Sequence, residues 1–133
     1  MSDKPVTSKQ ETMPMIPLRG LIVFPKSVTN FDVGREKSVL ALQRAMVMNQ
    51  TVMLSAQKAA DTDLPTPQDF YSVGTVARIK QMLKLPGDNI RVLVEGLYRA
   101  RISNVVQEVP YFLCECEDMR RAHDRGSFVK FLA

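Results

Sequence analysis

Hydrophobic and polar positions alternate most clearly between Ser72 and Asn104. In the first half the odd positions carry Val73, Thr75, Ala77, Ile79, Leu83 and Leu85, with Gln81 as one polar intruder, and Arg78, Lys80 and Lys84 fall on even positions. Past Pro86-Gly87-Asp88-Asn89, a cluster of turn formers, the parity reverses. Ile90, Val92, Val94, Gly96, Tyr98, Ala100 and Ile102 are even, whereas Arg91, Glu95, Arg99 and Arg101 are odd. A period of two on both sides of a turn predicts a long antiparallel hairpin with one buried and one charged face. Gly96, in mid-strand, predicts a bulge or sharp bend.

Shorter elements flank the hairpin. Met13 to Leu18 is apolar, but Pro14 and Pro17 each remove a backbone donor, so it reads as an edge or irregular strand. Leu21 to Phe24 is a second apolar run, stopped by Pro25, and Val28 to Val33 reads as a short strand. Arg35 to Met48 has helical period, with Val39, Leu42 and Met46 on one face beside Ala45, and Lys37 and Arg44 opposite. Thr51 to Ser55 returns to strand, and Ala59 to Asp69, with its Pro and Asp residues, reads as an exposed loop. In Tyr111 to Asp118, Phe112, Cys114 and Cys116 point one way and Glu115 and Glu117 the other, which places both thiols in a core. About six strands and one helix predict an α+β fold, mainly antiparallel, in a partly closed barrel.

Composition narrows the chemistry. A chain of 133 residues, 45% hydrophobic and 24% charged, is one globular domain. One His and two Cys fall short of a zinc site and of a disulfide scaffold, so no metal and no cofactor are expected. There is no phosphate-binding glycine loop, and no nucleophile has a partnered base, so an enzyme is disfavoured. No long apolar run or signal peptide is seen, which points away from the membrane and towards the cytoplasm. The net charge of +4 concentrates in Met119 to Ala133, where Arg120, Arg121, Arg125 and Lys130 face only Asp124. Residues 1–118 hold 14 basic and 13 acidic side chains, a near-neutral balance that argues against nucleic acid. The division is thus a flexible lead (1–11), a folded domain (12–118) and a basic tail (119–133), with His123 a solvated tail residue.

Several stretches resemble the N-terminal domain of Lon proteases, in family order and spacing. They are Pro17-Leu18-Arg19-Gly20, Val23-Phe24-Pro25, Val33-Gly34-Arg35-Glu36-Lys37-Ser38, Phe70 to Ala77, Lys80 to Pro86 and Arg91 to Ile102. The resemblance implies a PUA-like six-stranded pseudo-barrel with one helix. It implies a non-catalytic module that recognises unfolded or damaged proteins for an ATP-driven unfoldase and peptidase, and that meets other Lon subunits in a hexamer. The helical, ATPase and Ser-Lys peptidase modules of that family are absent from this sequence, and the tail after Asp118 departs from its pattern.

Candidate client-binding residues follow from softness and punctuation. Met repacks against many shapes, and Met15 and Met82 sit where a proline-rich edge or an outward position leaves them open. Met46 and Met53 are expected in the core. Met15, Pro17, Leu18, Phe24 and Pro25 are expected to form an exposed apolar patch with an edge strand able to pair with a peptide. Arg35, Glu36 and Lys37 form a charged cluster at the helix start. An alternative function is a nucleic-acid-binding module using Arg78, Lys80, Lys84, Arg91, Arg99 and Arg101 on the outer face of the hairpin, as some PUA-like folds do.

Overall fold

The computed structural model describes residues 10–122; residues 1–9 and the tail from His123 onward lie outside them. Six strands form one sheet: β1 (Gln10–Leu18), β2 (Val28–Val33), β3 (Thr51–Ala56), β4 (Val73–Lys84), β5 (Ile90–Gln107) and β6 (Phe112–Asp118). Helix α1 (Glu36–Val47) joins β2 to β3, and a short helix α2 (Met119–Ala122) follows β6. The strand order is β2-β5-β4-β3-β1-β6, and β6 also pairs with β5. Strands β5, β4, β3, β1 and β6 therefore close into a ring, while β2 hangs on the first half of β5, opposite Ile90 to Glu95. The sheet is mixed: β1 and β3 run parallel and the other pairings are antiparallel.

The closed ring places β1 in the sheet interior, between β3 and β6, and not at an edge. Its prolines survive there because the two neighbours barely overlap. Pro14 has a partner only in β6 (Leu113) and Pro17 only in β3 (Ser55). The Pro17 carbonyl accepts from the Arg35 guanidinium at 2.9 Å, so the side lacking a donor faces a side chain and no ladder.

Consecutive residues of a strand face opposite ways, and here both faces are buried. One core fills the ring: Met13, Met15, Met53, Val76, Ala100, Phe112, Cys114 and Cys116, lidded by Phe70. The Phe70 and Phe112 rings meet edge to face at 5.4 Å. The other core lies outside the ring beneath α1: Ile16, Leu18, Val52, Leu54, Ala77 and Ile79 meet Val33, Val92 and Val94. Burial on both faces is why β1 and β3 read as unbroken apolar runs and not as alternation.

Three details of side-chain direction differ from the pattern along the chain. Helix α1 buries Ser38, Ala41, Leu42 and Ala45, a rotated stripe of small residues that lets the helix lie close on the sheet, so Met46 turns outward at 39% exposure. In β4 the register slips between Ile79 and Gln81, and Lys80 is the extra residue. That bulge flips parity: Met82 packs against the aliphatic core, and Gln81 and Leu83 face solvent. In β5 a second slip leaves Leu97 unpaired next to Gly96, the irregularity that the glycine signals. Met53, Cys114 and Cys116 are core residues as expected, and burial pushes both thiols up to about 12, which leaves them unreactive. The 59–69 loop holds a 3-10 turn at Pro67–Asp69.

Candidate functional site

The apolar run from Leu21 to Phe24 alternates without being a strand. Leu21 and Val23 pack inward, whereas Ile22 and Phe24 point out at 56% and 55% exposure. The backbone is pinned at each step. Thr75 Oγ1 donates to the Val23 carbonyl at 2.7 Å, and the Ser27 hydroxyl and amide both donate to the Phe24 carbonyl. Pro25 and Lys26, the latter at φ 67°, are the two central residues of a type II turn. Lys26 N–H donates to the Gly96 carbonyl at 2.7 Å and Gly96 N–H to the Ser27 carbonyl at 2.9 Å, which is a glycine-type bulge with lysine in the left-handed seat. Gly96 is required because a Cβ there would stand 2.2 Å from the Phe24 carbonyl oxygen. Val28, 62% exposed, opens β2 directly after this turn. The result is an apolar trio, Ile22, Phe24 and Val28, on a backbone that is already fixed.

A second neighbourhood surrounds Arg35. Its guanidinium donates to Gln57 Oε1 at 2.7 Å, the Pro17 carbonyl at 2.9 Å and the Asp63 carbonyl at 3.2 Å. Gln57 in turn donates to the carbonyls of Ala59 and Thr62. Every one of these acceptors is neutral, and burial together with Arg19 lowers the Arg35 pKa. The side chain divides two clefts. The larger, about 340 Å³, lies between the end of β1 (Ile16 to Leu18), Leu21 and the end of β2 (Phe31 to Val33). The smaller, about 180 Å³, is more apolar and is lined by Pro17, Lys37, Leu64, Pro65 and Phe112. Lys37 Nζ sits 4.6 Å from the centre of the Phe112 ring, and Glu36 is exposed in the first helical turn, where the helix dipole favours it.

The expected patch therefore splits. Phe24 is exposed and Pro25 half-buried on the turn, but Met15, Pro17 and Leu18 are buried, because β1 is an interior strand with cores on both sides. Met82 is half-buried by the bulge at Lys80. Arg35 ties the 57–63 loop to β1, while Glu36 and Lys37 line the smaller cleft. Pattern reading missed Ile22 and Val28. All four residues of Leu21 to Phe24 are apolar, so the sequence holds no signal that separates the outward Ile22 from the inward Val23.

The basic stripe also breaks up. Arg78 lies opposite Glu95 and Arg91 opposite Leu83, on one face of the hairpin, whereas Arg99 lies opposite Thr75 and Arg101 opposite Val73, on the other. The two bulges cause this change of face. Arg91 is also held by Asp32 at 2.8 Å, which keeps that carboxyl below its ordinary range, and Lys80 lies 3.6 Å from Glu95. The stripe therefore does not form one basic face on the hairpin. Among the described residues no three His, Cys, Asp or Glu side chains come together as metal ligands, and no helix is long and apolar enough to cross a membrane.

Residues 12–130 match the family model of the ATP-dependent protease La (LON) substrate-binding domain. The chain belongs to this family. The match runs on through most of the tail that the sequence pattern sets apart. A Lon protease of Desulforamulus reducens is 46% identical over 127 residues, covering 96% of this chain and 16% of its own length. A Lon protease of Clostridioides difficile is 48% identical over 113 residues, covering 85% and 14%. The chain thus spans about a sixth of the length of these bacterial relatives. Two solved structures share the fold. The N-terminal domain of a Mycobacterium avium complex Lon protease superposes with a TM-score of 0.64 at 18% identity, over 81% of this chain and 54% of that one. A Lon N-terminal domain protein from Xanthomonas campestris gives 0.60 at 13% identity, over 80% and 58%. The part of Lon present here is the substrate-binding domain, which assigns it a part in substrate recognition.

Proposed function

We propose that this Lon domain holds unfolded or damaged client proteins through the apolar trio Ile22, Phe24 and Val28, with Pro25 beneath them and Glu36 and Lys37 as a polar rim farther along. It does so in the cytoplasm, beside neighbouring Lon subunits, and hands clients to the ATP-driven unfoldase and peptidase of the parent enzyme. The observation that carries this reading is the fixed backbone under exposed apolar side chains. Exposed apolar groups bind nonpolar segments by area and not by sequence, and prior ordering of the loop lowers the entropic cost of doing so. The test is a titration of the domain with a reduced, carboxymethylated protein that cannot refold. The double substitution Ile22→Ser and Phe24→Ser is expected to weaken binding at least tenfold and to change unfolding stability by no more than about 0.5 kcal/mol, as for other surface changes. Unchanged affinity would place client binding elsewhere.

A further inference from the structure

Within the described residues, β2 is the strand whose whole length has a partner on one side only. The Gly96 N–H to Ser27 carbonyl bond fixes the parity of that edge. Counting from Ser27 by twos, Thr29, Phe31 and Val33 direct their backbone groups at β5, and Val28, Asn30 and Asp32 direct theirs away from it. Three N–H and three C=O groups thus form a row spaced for an extended backbone.

Natural edges are usually guarded by charge, proline or a covering element. Here the guards are missing. Val28, Thr29 and Asn30 carry no charge, and the one carboxylate, Asp32, is drawn across to Arg91 of β5, away from the free side. The start of this edge is apolar, at Val28 and the Phe24 turn. Its finish opens on the 340 Å³ cleft, where Leu21, Phe31 and Val33 offer an apolar wall and Arg19, Asp32 and Arg35 a polar one.

We infer that clients bind as an added β-strand, paired antiparallel or parallel to the open edge of β2, with an apolar side chain in the cleft beside Phe31. This deepens the proposed function and rests on it. Backbone pairing gives affinity without reading sequence, which is what a receptor for many unfolded chains needs. The occupant is a peptide segment and not a second folded copy. Six residues of edge extend roughly 20 Å, and strand-to-strand contact over that length buries far less than the ~1,000 Å² a stable interface requires.

The experiment uses the full chain and a ten-residue peptide alternating Val and Thr with Lys at its ends. Saturation is expected to slow amide exchange at Val28, Asn30 and Asp32 at least tenfold. Asn30→Pro removes one outward N–H at a position where an edge tolerates proline, and it is expected to weaken peptide binding at least tenfold. A version of the peptide N-methylated at alternate residues should lose the same amount against the unsubstituted domain, which keeps the test valid if the proline variant fails to fold. Binding that survives both changes but fails in the Ile22→Ser, Phe24→Ser variant overturns the added strand and leaves the proposed function standing. Binding that is indifferent to all of them overturns both. Slow exchange at the same three amides without peptide, growing with protein concentration, assigns the edge to a second copy and overturns the inference.

Discussion

The two cores lie back to back across β1, β3 and β4, yet they are made of different material. The core under α1 is aliphatic and mostly branched: Ile16, Val33, Val52, Ile79, Ile90, Val92 and Val94, with small helix residues above. The core inside the ring is soft: three Met, two thiols and an aromatic pair. Branched side chains have few rotamers and set a shape. Thioethers bend to fill what is left. The difference teaches that one face of the sheet fixes the geometry of the α1 and β2 side, including the surface proposed here for clients, while the other closes a ring whose strands meet with irregular register.

The largest effect expected is at the aromatic anchor of the soft core. Phe112→Ala removes the edge-to-face partner of Phe70 and the ring under Lys37. A loss of about 3–5 kcal/mol is expected by denaturant unfolding, and a cost near 1 kcal/mol would mean that the ring is not held by this residue. A pair of neighbours on β3 sharpens the contrast. Met53 faces the soft core and Leu54 the aliphatic one, and both are buried. Truncation to Ala costs about 2–5 kcal/mol in such positions. Met53→Ala is expected at the low end because Met13 and Met15 can relax into the space, and Leu54→Ala at the high end. Equal costs, or the reverse order, would remove the claim that the two cores differ in stiffness.

A further effect is at high pH and touches the ring alone. Burial pushes Cys114, Cys116 and Tyr98 up to about 12. These acids therefore hold their protons in the folded state at pH values where the unfolded chain has released them. Their contribution to stability is whole below the ordinary thiol and phenol values, and it is lost as pH rises from about 9 towards 12. Unfolding free energy measured across that window is expected to fall, and Cys114→Ala with Cys116→Ala should flatten the slope. A Leu42→Ala variant, lowered in stability but with its thiols intact, should keep the slope. The same slope in all three proteins would trace it to other groups.

Much of this was legible from the chain. The alternation in Phe112 to Cys116 names the inward thiols, the turn at Pro86–Asn89 places the hairpin, and the period after Gly34 places α1 within a residue. What hid was every choice made by the partner and not by the segment. A bulge is a count of two residues against one on the other strand; Gly96 betrays the one at Leu97, but Lys80 looks ordinary in sequence while Met82 and Leu83 exchange faces. The same blindness made β1 look like an edge: two prolines argue against an interior strand until the offset between β3 and β6 is known. Helix α1 turns Ser38, Ala41, Leu42 and Ala45 to the sheet, so Met46 faces out while Val39 stays partly buried against the aliphatic core. At the candidate site, the exposure of Phe24 was expected beside Pro25, and that of Ile22 was not, because nothing in the run distinguishes it from Val23.

Strand β5 runs for 18 residues, through the bulge at Leu97, and is common to both halves. Its first part carries β2 and its second part carries β6. Mechanically it is a tie-rod. A pull on β2 along the strand axis loads the β2–β5 ladder in shear, with all its bonds resisting together, and passes down the same backbone into the ladder with β6. A pull across the axis peels the bonds one at a time. The domain is thus strong in one direction and weak in another, and the direction of tension at β2 decides which of the two it presents.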